Sequence, residues 1–187
     1  MGKMLEKYQE KRKFEATTEP SGEKGKSPAG NIFVIQKHDA SSLHYDFRLR
    51  IGDVLKSWAV PKGPSTDPSQ KRLAVPTEDH PLQYADFEGI IPEGEYGAGT
   101  VMVWDTGKFR NIGEKGLEDS YKEGKIKVWL EGKKLGGGYS LVKTGKNWLL
   151  IKMDDEKADA RRNPTSTEPL SVKSSRSLKE IKQESKG

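Results

Sequence analysis

Thirteen residues, HDASSLHYDFRLR from His38 to Arg50, hold two of the chain's three histidines together with Asp46, Arg48 and Arg50. Read as a strand, alternation puts His44, Asp46, Arg48 and Arg50 on one face and Tyr45, Phe47, Leu49 and Ile51 on the other. His44 and Asp46 then stand about 6.5–7 Å apart along the strand, a span that two inward-leaning ligands can close around one ion. The preceding strand ends in Gln36 and His38, also on one face, and the DASS turn can fold His38 back beside His44. Two imidazoles and a carboxylate that leave positions open for water and substrate form the donor set of a catalytic metal site rather than a structural one. Arg48, two residues beyond Asp46 on the same face, would have no partner there unless an anion binds, and a guanidinium beside a metal can clamp a phosphate.

The plainer reading is a surface His–Asp pair tolerated on a solvated face. Against it stands the third histidine, His80, which lies in TEDHPLQY beside Glu78, Asp79 and Tyr84. All the histidine of the chain thus sits in two carboxylate-bearing contexts. The absence of cysteine excludes disulfides, zinc–thiolate sites and thiol nucleophiles. Lys62, in the rigid turn WAVPKGP, is offered outward where it can neutralise phosphate or serve only as a solvated turn lysine. The glycine-rich IPEGEYGAGTVMVW (90–104) lacks the spacing of a nucleotide cradle and reads as tight turns feeding a strand. Trp104, Trp129 and Trp148 fall on strand patterns and are assigned to the core.

The elements that must position these groups are short and β-like. NIFVIQKH, LHYDFRLRI, VLKSWAV, KRLAVP, TVMVWDTG, GKIKVWLEG, GGYSLVKTG and NWLLIKM are separated by turn dipeptides, and Gly52-Asp53, Gly107-Lys108, Gly132-Lys133 and Thr144-Gly145-Lys146 read as hairpin connections. With no long helical pattern in the core, the expectation is a mainly β fold, a compact antiparallel β-barrel with short flanking helices and flexible termini. Helix is expected at Met4–Arg12 and at Ser177–Glu184, where Ser177 and Glu180 fit a capping box. At 187 residues one domain is expected: an arm over 1–30, a barrel over 31–153 and a basic tail over 154–187. Net charge is +5, with seven Lys/Arg against five Glu in residues 1–30 and seven against three in 160–187. No apolar leader or membrane span is evident, so a cytoplasmic protein without membrane contact is expected.

Taken in order, His38-x5-His44-x-Asp46-x-Arg48, SWAVPKGPS (57–65), Glu78-x-His80-x3-Tyr84, GIIPEGEYGAGTVMVWDTGKF (89–109) and NWLLIK (147–152) resemble the 3′-phosphoesterase domain of bacterial DNA ligase D and its free-standing archaeal and bacterial relatives. The likeness runs from KRKFEATTEP (11–20) to PLSVKSSRSLKEI (169–181). It implies a β-barrel that removes a 3′-terminal ribonucleoside to leave a 3′-phosphate and then removes that phosphate, typically with Mn²⁺. It assigns His38, His44 and Asp46 to the metal, and Arg48, His80 and Tyr84 to the phosphate. Gln36, Lys62, Arg72 and Glu78 fall on supporting positions of the site, and Arg12 and Glu19 on the N-terminal arm, where Lys13 replaces a usual acidic residue. The implied partners are DNA or RNA/DNA 3′ ends on a primer-template, a separate DNA ligase and other end-joining proteins, with the chain itself a monomer.

Two other readings compete. A non-haem iron oxygenase could use His44, Asp46 and His80 as a 2-His-1-carboxylate triad, which leaves His38 without a role. A non-catalytic barrel could grip nucleic acid through its basic tails, which leaves the clustering of the histidines to chance.

Overall fold

The computed structural model describes residues 4–22 and 29–184. A short helix α1 (Glu6–Glu10) precedes β1 (Ile32–Asp39), β2 (Leu43–Ile51), β3 (Val54–Val60) and β4 (Lys71–Pro81). A 3-10 turn (Leu82–Asp86), β5 (Gly89–Ile91) and β6 (Gly99–Asn111) follow, then α2 (Leu117–Glu123), β7 (Lys125–Gly132), β8 (Gly136–Thr144) and β9 (Asn147–Lys152). Two further short helices, α3 (Pro164–Thr167) and α4 (Leu178–Glu184), close the chain's described part.

All the strand pairings are antiparallel, in the order β1-β2-β3-β4-β9-β8-β7-β6-β5, and β1 also pairs with β6. That last pairing closes eight strands into a barrel. Alternation then sorts side chains as the pattern predicts. Phe33, Ile35, Phe47, Leu49, Trp58, Trp104 and Trp148 fill the interior. On the outer face of the same strands, Val34, Leu55, Val101 and Val103 form a second apolar layer with Tyr8, Leu82, Tyr84, Phe87 and Ile91. The polar residues of β1 and β2 lie between these two layers, on a surface that is neither barrel core nor open solvent.

One irregularity positions the site. Ser57 of β3 faces Thr77 of β4 and Leu55 faces His80, so β4 takes three steps where β3 takes two. The extra residue shifts the phase of the strand, so that Thr77 and His80, which strict alternation would put on opposite faces, both line one cleft. β4 also runs longer than the KRLAVP segment, because it changes partner along its length: Lys71–Ala74 pair with β9 and Val75–Pro81 with β3.

Two expectations need correction. Gly107-Lys108 is not a turn, since β6 continues through it. The glycine is needed for backbone approach instead: a Cβ there would fall 2.2 Å from the Glu131 carbonyl oxygen. Trp129 is not core; it is half-buried on the outer face, with the Arg110 guanidinium 5.5 Å from its ring centre. In the described parts of the terminal segments, some side chains pack on the barrel. Tyr8 is buried and its hydroxyl donates to the Pro20 carbonyl. Burying such a ring contributes on the order of 1.5–3 kcal/mol, which holds a helix too short to form alone. At the other end Ile181 is buried in the barrel core, and the Trp104 Nε1–H donates to the Glu168 carbonyl at 2.8 Å. The capping box before α4 forms as read, with the Ser177 N–H on Glu180 Oε1 and the Glu180 N–H on Ser177 Oγ, each at 3.1 Å. Residues 1–3 and 23–28 of the expected arm, and 185–187 of the tail, lie outside the described residues. Among the described residues no helix is long and apolar enough to cross a membrane.

The close approach at Gly107 makes a stability prediction. Gly107→Ala should lower the unfolding free energy by about 1–3 kcal/mol, the usual cost of overpacking, read as a lower urea midpoint at unchanged slope. An unchanged midpoint would show that β6 and β7 can part without loss.

Candidate active site

The β1–β2 hairpin pairs His38 directly with His44, and their ring centroids stand 4.8 Å apart. Asp46 lies two residues further along β2, and its Oδ2 is 3.4 Å from His38 Nδ1 and 3.2 Å from His44 Nε2. The outward nitrogen of each ring donates to a backbone carbonyl, His38 Nε2–H to Gly97 at 2.6 Å and His44 Nδ1–H to Ser42 at 3.0 Å. These bonds select the tautomers in which His38 Nδ1 and His44 Nε2 turn lone pairs toward the carboxylate. Three acceptors facing one another are satisfied by a shared cation. The spacings suit donors that each stand about 2.0–2.2 Å from one ion, and all three ligand atoms lie within 4.8 Å of one another. The residues present therefore fit a divalent metal.

Burial alone would raise the Asp46 pKa, but the Arg48 charge and the close polar contacts with His38 and His44 outweigh it and hold the carboxyl ionised far below its usual range. Arg48 NH2 is 3.5 Å from Asp46 Oδ2. Its guanidinium is fixed from behind: Nε donates to Gln36 Oε1 at 2.7 Å, and Gln36 Nε2 donates to the carbonyls of Tyr84 and Phe87 at 2.8 and 3.0 Å. Gln36 is thus a spacer that anchors Arg48 to the turn beyond β4. Arg48 NH1 reaches His80 Nδ1 at 3.1 Å, and Arg12 NH2 stands 3.5 Å from His80 Nε2. His80 therefore lies between two guanidiniums.

The N-terminal segment completes the wall. Arg12 Nε donates to Glu19 Oε2 at 2.9 Å and its NH1 to Glu78 Oε1 at 3.3 Å, while its guanidinium lies 4.0 Å from the Tyr8 ring centre. Glu19 Oε2 also accepts the Tyr84 hydroxyl at 2.6 Å. Lys13 does not share this network, which Arg12 and Glu19 carry between them.

His38, His44, Asp46, Arg48, Glu78, His80, Tyr84 and Arg12 thus line a single cleft of about 370 Å³. Gln36 and Glu19 stand behind it. Two expected residues are not brought in. Lys62 is exposed in the turn after β3, and Arg72 lies half-buried on β4 opposite Leu150, its Nε without a hydrogen-bond partner among the described residues. The triad of His44, Asp46 and His80 does not form, because the metal-spaced cluster among the described residues contains His38, and His80 faces two cations. Sequence reasoning passed over Tyr96, Gly97 and Thr77, which also line the cleft. EYGAG reads as turn chemistry alone, and the signal that Gly97 supplies a carbonyl to His38 is a tertiary one.

Burial, then the Arg48 and Arg12 charges, hold the His80 pKa well below its ordinary value. His44 moves the other way: burial would lower it, but the Asp46 hydrogen bond and charge raise it. A histidine depressed in the native state leaves the unfolded chain to take up the proton as pH falls below ~6.5, so His80 removes stability on acidification while His44 adds it. Comparing wild type with His80→Gln isolates the first effect. Between pH 6.5 and 5.5 the metal-free wild type should lose about 1 kcal/mol more than the variant, measured by urea unfolding. Parallel pH profiles would show that His80 titrates normally.

A family model of the DNA ligase D 3′-phosphoesterase domain matches residues 36–143. The chain is 48% identical over 187 residues, covering 94% of its length, to the multifunctional non-homologous end joining protein LigD of Pseudomonas aeruginosa. It is 45% identical over 155 residues, 82% of its length, to the multifunctional non-homologous end joining DNA repair protein LigD of Mycobacterium tuberculosis. The Mycolicibacterium smegmatis protein of the first description is 46% identical over 160 residues. The chain spans 22%, 20% and 21% of these three relatives. On both the profile and the identities, the chain belongs to the DNA ligase D 3′-phosphoesterase domain family.

Proposed function

We propose that the chain is a Mn²⁺-dependent 3′-end-healing phosphoesterase acting on DNA or RNA/DNA primer ends. It hydrolyses the diester before a 3′-terminal ribonucleoside, leaving a 3′-phosphate, and then removes that phosphate to expose a 3′-hydroxyl. The observation that carries this reading is the adjacency, in one cleft, of a His–His–Asp donor set and a fixed guanidinium, Arg48 NH2 lying 3.5 Å from Asp46 Oδ2. The relatives' names supply the context, non-homologous end joining and DNA repair, and the partner proposed to use the healed end is a separate DNA ligase.

His38, His44 and Asp46 would hold the ion, which when bound would supply Lewis-acid polarisation of a phosphoryl oxygen. Arg48 presents its fork to two non-bridging oxygens in an orientation set by Gln36, so little reorganisation is needed as charge develops. In the diester step water adds to phosphorus and the bond to the departing ribonucleoside's 5′ oxygen breaks. That oxygen gains a proton and the water loses one. His80 is neutral between its two guanidiniums; an incoming phosphate offsets those charges and raises its proton affinity, which suits it to protonate the leaving oxygen. Tyr84, tied through its hydroxyl to Glu19, packs its ring edge-on against His80 at 4.7 Å and keeps the imidazole in place. Arg12, held by Glu19 and Glu78, offers a second cation at the mouth. Lys62, in the turn after β3, and Arg72, on β4, are assigned outside the reacting centre. No observation favours oxygen chemistry or binding without turnover.

A primer-template with one 3′ ribonucleotide tests this. With Mn²⁺ the ribonucleoside should be released first and phosphate second, and a chelator should abolish both; turnover in chelator would remove the metal from the reading. His38→Ala, His44→Ala and Asp46→Ala should each lose Mn²⁺ binding in a paramagnetic-resonance titration as well as activity, and retained binding would take that residue out of the donor set. Arg48→Lys should cost about 10²-fold or more in kcat, because a point charge cannot reproduce a bidentate fork. Full activity in that variant would reduce Arg48 to a structural partner of Asp46.

A further inference from the structure

Among the described residues, the exposed large apolar or aromatic side chains are Met4, Leu43, Leu73, Tyr96, Ile112 and Leu170. Tyr96 is the aromatic in that set, 47% exposed, and it lines the reactive cleft. Its backbone is tightly held. The Glu95 N–H donates to the Pro92 carbonyl at 3.1 Å and the Ala98 N–H to the Glu95 carbonyl at 3.0 Å, with Gly94 and Gly97 at φ of 87° and 77°. The next carbonyl, that of Gly97, is the one that orients His38. The ring is braced from one side by the arm: Lys11 Nζ lies 3.3 Å from the phenol oxygen and 4.6 Å from the ring centre, and the Arg12 guanidinium 5.4 Å from it. A rigid, oriented, unburied ring at the mouth of a phosphate-sized cleft has the form of a ligand contact rather than of a core residue.

The diester substrate has a half that charge cannot hold. A terminal ribonucleoside carries no phosphate beyond the scissile one, so its base and ribose are all that a site can grip, and every base offers a π-face that an aromatic ring can accept regardless of sequence. We infer that Tyr96 is the platform on which the base of the departing 3′-nucleoside stacks. The inference rests on the phosphoesterase reading above and adds to it the subsite for the leaving group. It makes the diester step tolerant of base identity but dependent on a base being present.

The test uses two primer-templates, alike except that the 3′-terminal ribose carries a base in one and is abasic in the other, with KM and kcat measured in Mn²⁺. Wild type should favour the base-bearing end in KM by roughly 5- to 150-fold, the worth of one stacked base. In Tyr96→Ala that ratio should fall to parity, and Tyr96→Phe and Tyr96→Trp should keep it. Mn²⁺ affinity, titrated independently, should be the same in Tyr96→Ala as in wild type, because the Gly97 carbonyl remains. Equal losses on both substrates would overturn the inference and make Tyr96 a brace for Lys11 and Arg12; a weakened Mn²⁺ affinity would overturn it in favour of a loop-shaping role. A wild type indifferent to the base would overturn it directly. Failure of the phosphoesterase reading has a different signature, no release from either primer and no phosphate from a 3′-phosphorylated one, and would overturn both.

Discussion

A buried carboxylate must be compensated where it stands, and Asp46, 6% exposed, is the charge around which the cleft is arranged. Its Oδ2 is approached by His38, His44 and Arg48 within 3.2–3.5 Å. Arg48 in turn is steered by Gln36, and Gln36 is spent on two carbonyls of the turn beyond β4. The same logic continues outward: the charges of Glu19 and Glu78, both with buried side chains, are met by Arg12. Acid and base alternate from the metal donors to the N-terminal segment, so each buried charge fixes the position of the next.

This arrangement needs a surface with low dielectric on both sides, and the barrel supplies it by having two apolar layers. The interior holds the strands' inward residues. The outer layer, built by Tyr8, Leu82, Tyr84, Phe87 and Ile91 against Val34, Leu55, Val101 and Val103, shields the polar face of β1 and β2 without sealing it. Tyr8 and Tyr84 belong to both the packing and the site: their rings stand 5.1 and 4.7 Å from His80. The N-terminal segment is therefore a wall of the cleft rather than a tether. The C-terminal segment is fastened to the barrel through the Trp104–Glu168 bond, the buried Ile181 and the Ser171–Glu88 bond.

Much of this was legible from local periodicity. The limits of β2 and β3, the sorting of Tyr45, Phe47 and Leu49 away from His44, Asp46 and Arg48, and the juxtaposition of His38 with His44 all follow from a side-chain period of two and a short turn. The Ser177–Glu180 box follows from capping chemistry between residues three apart. Composition at the ends of the chain counts charged and small residues, and does not register that Tyr8 and Ile181 are buried against the apolar surfaces of the barrel.

The sequence by itself determined which residue types share a strand face, and therefore that a His–His–Asp set with a neighbouring arginine would be presented together. Only the tertiary structure decided how that set is completed. The bulge opposite Leu55 and Ser57 turns His80 toward Arg48, the β1–β6 pairing closes the barrel, Gly97 lends its carbonyl to His38, and Arg12 arrives from a segment 68 residues away from His80. Each of these depends on a partner strand or loop distant in the chain. An extra residue in a ladder, or a glycine carbonyl at hydrogen-bond distance, leaves no local periodic trace, because its position is set by the register of the element it meets.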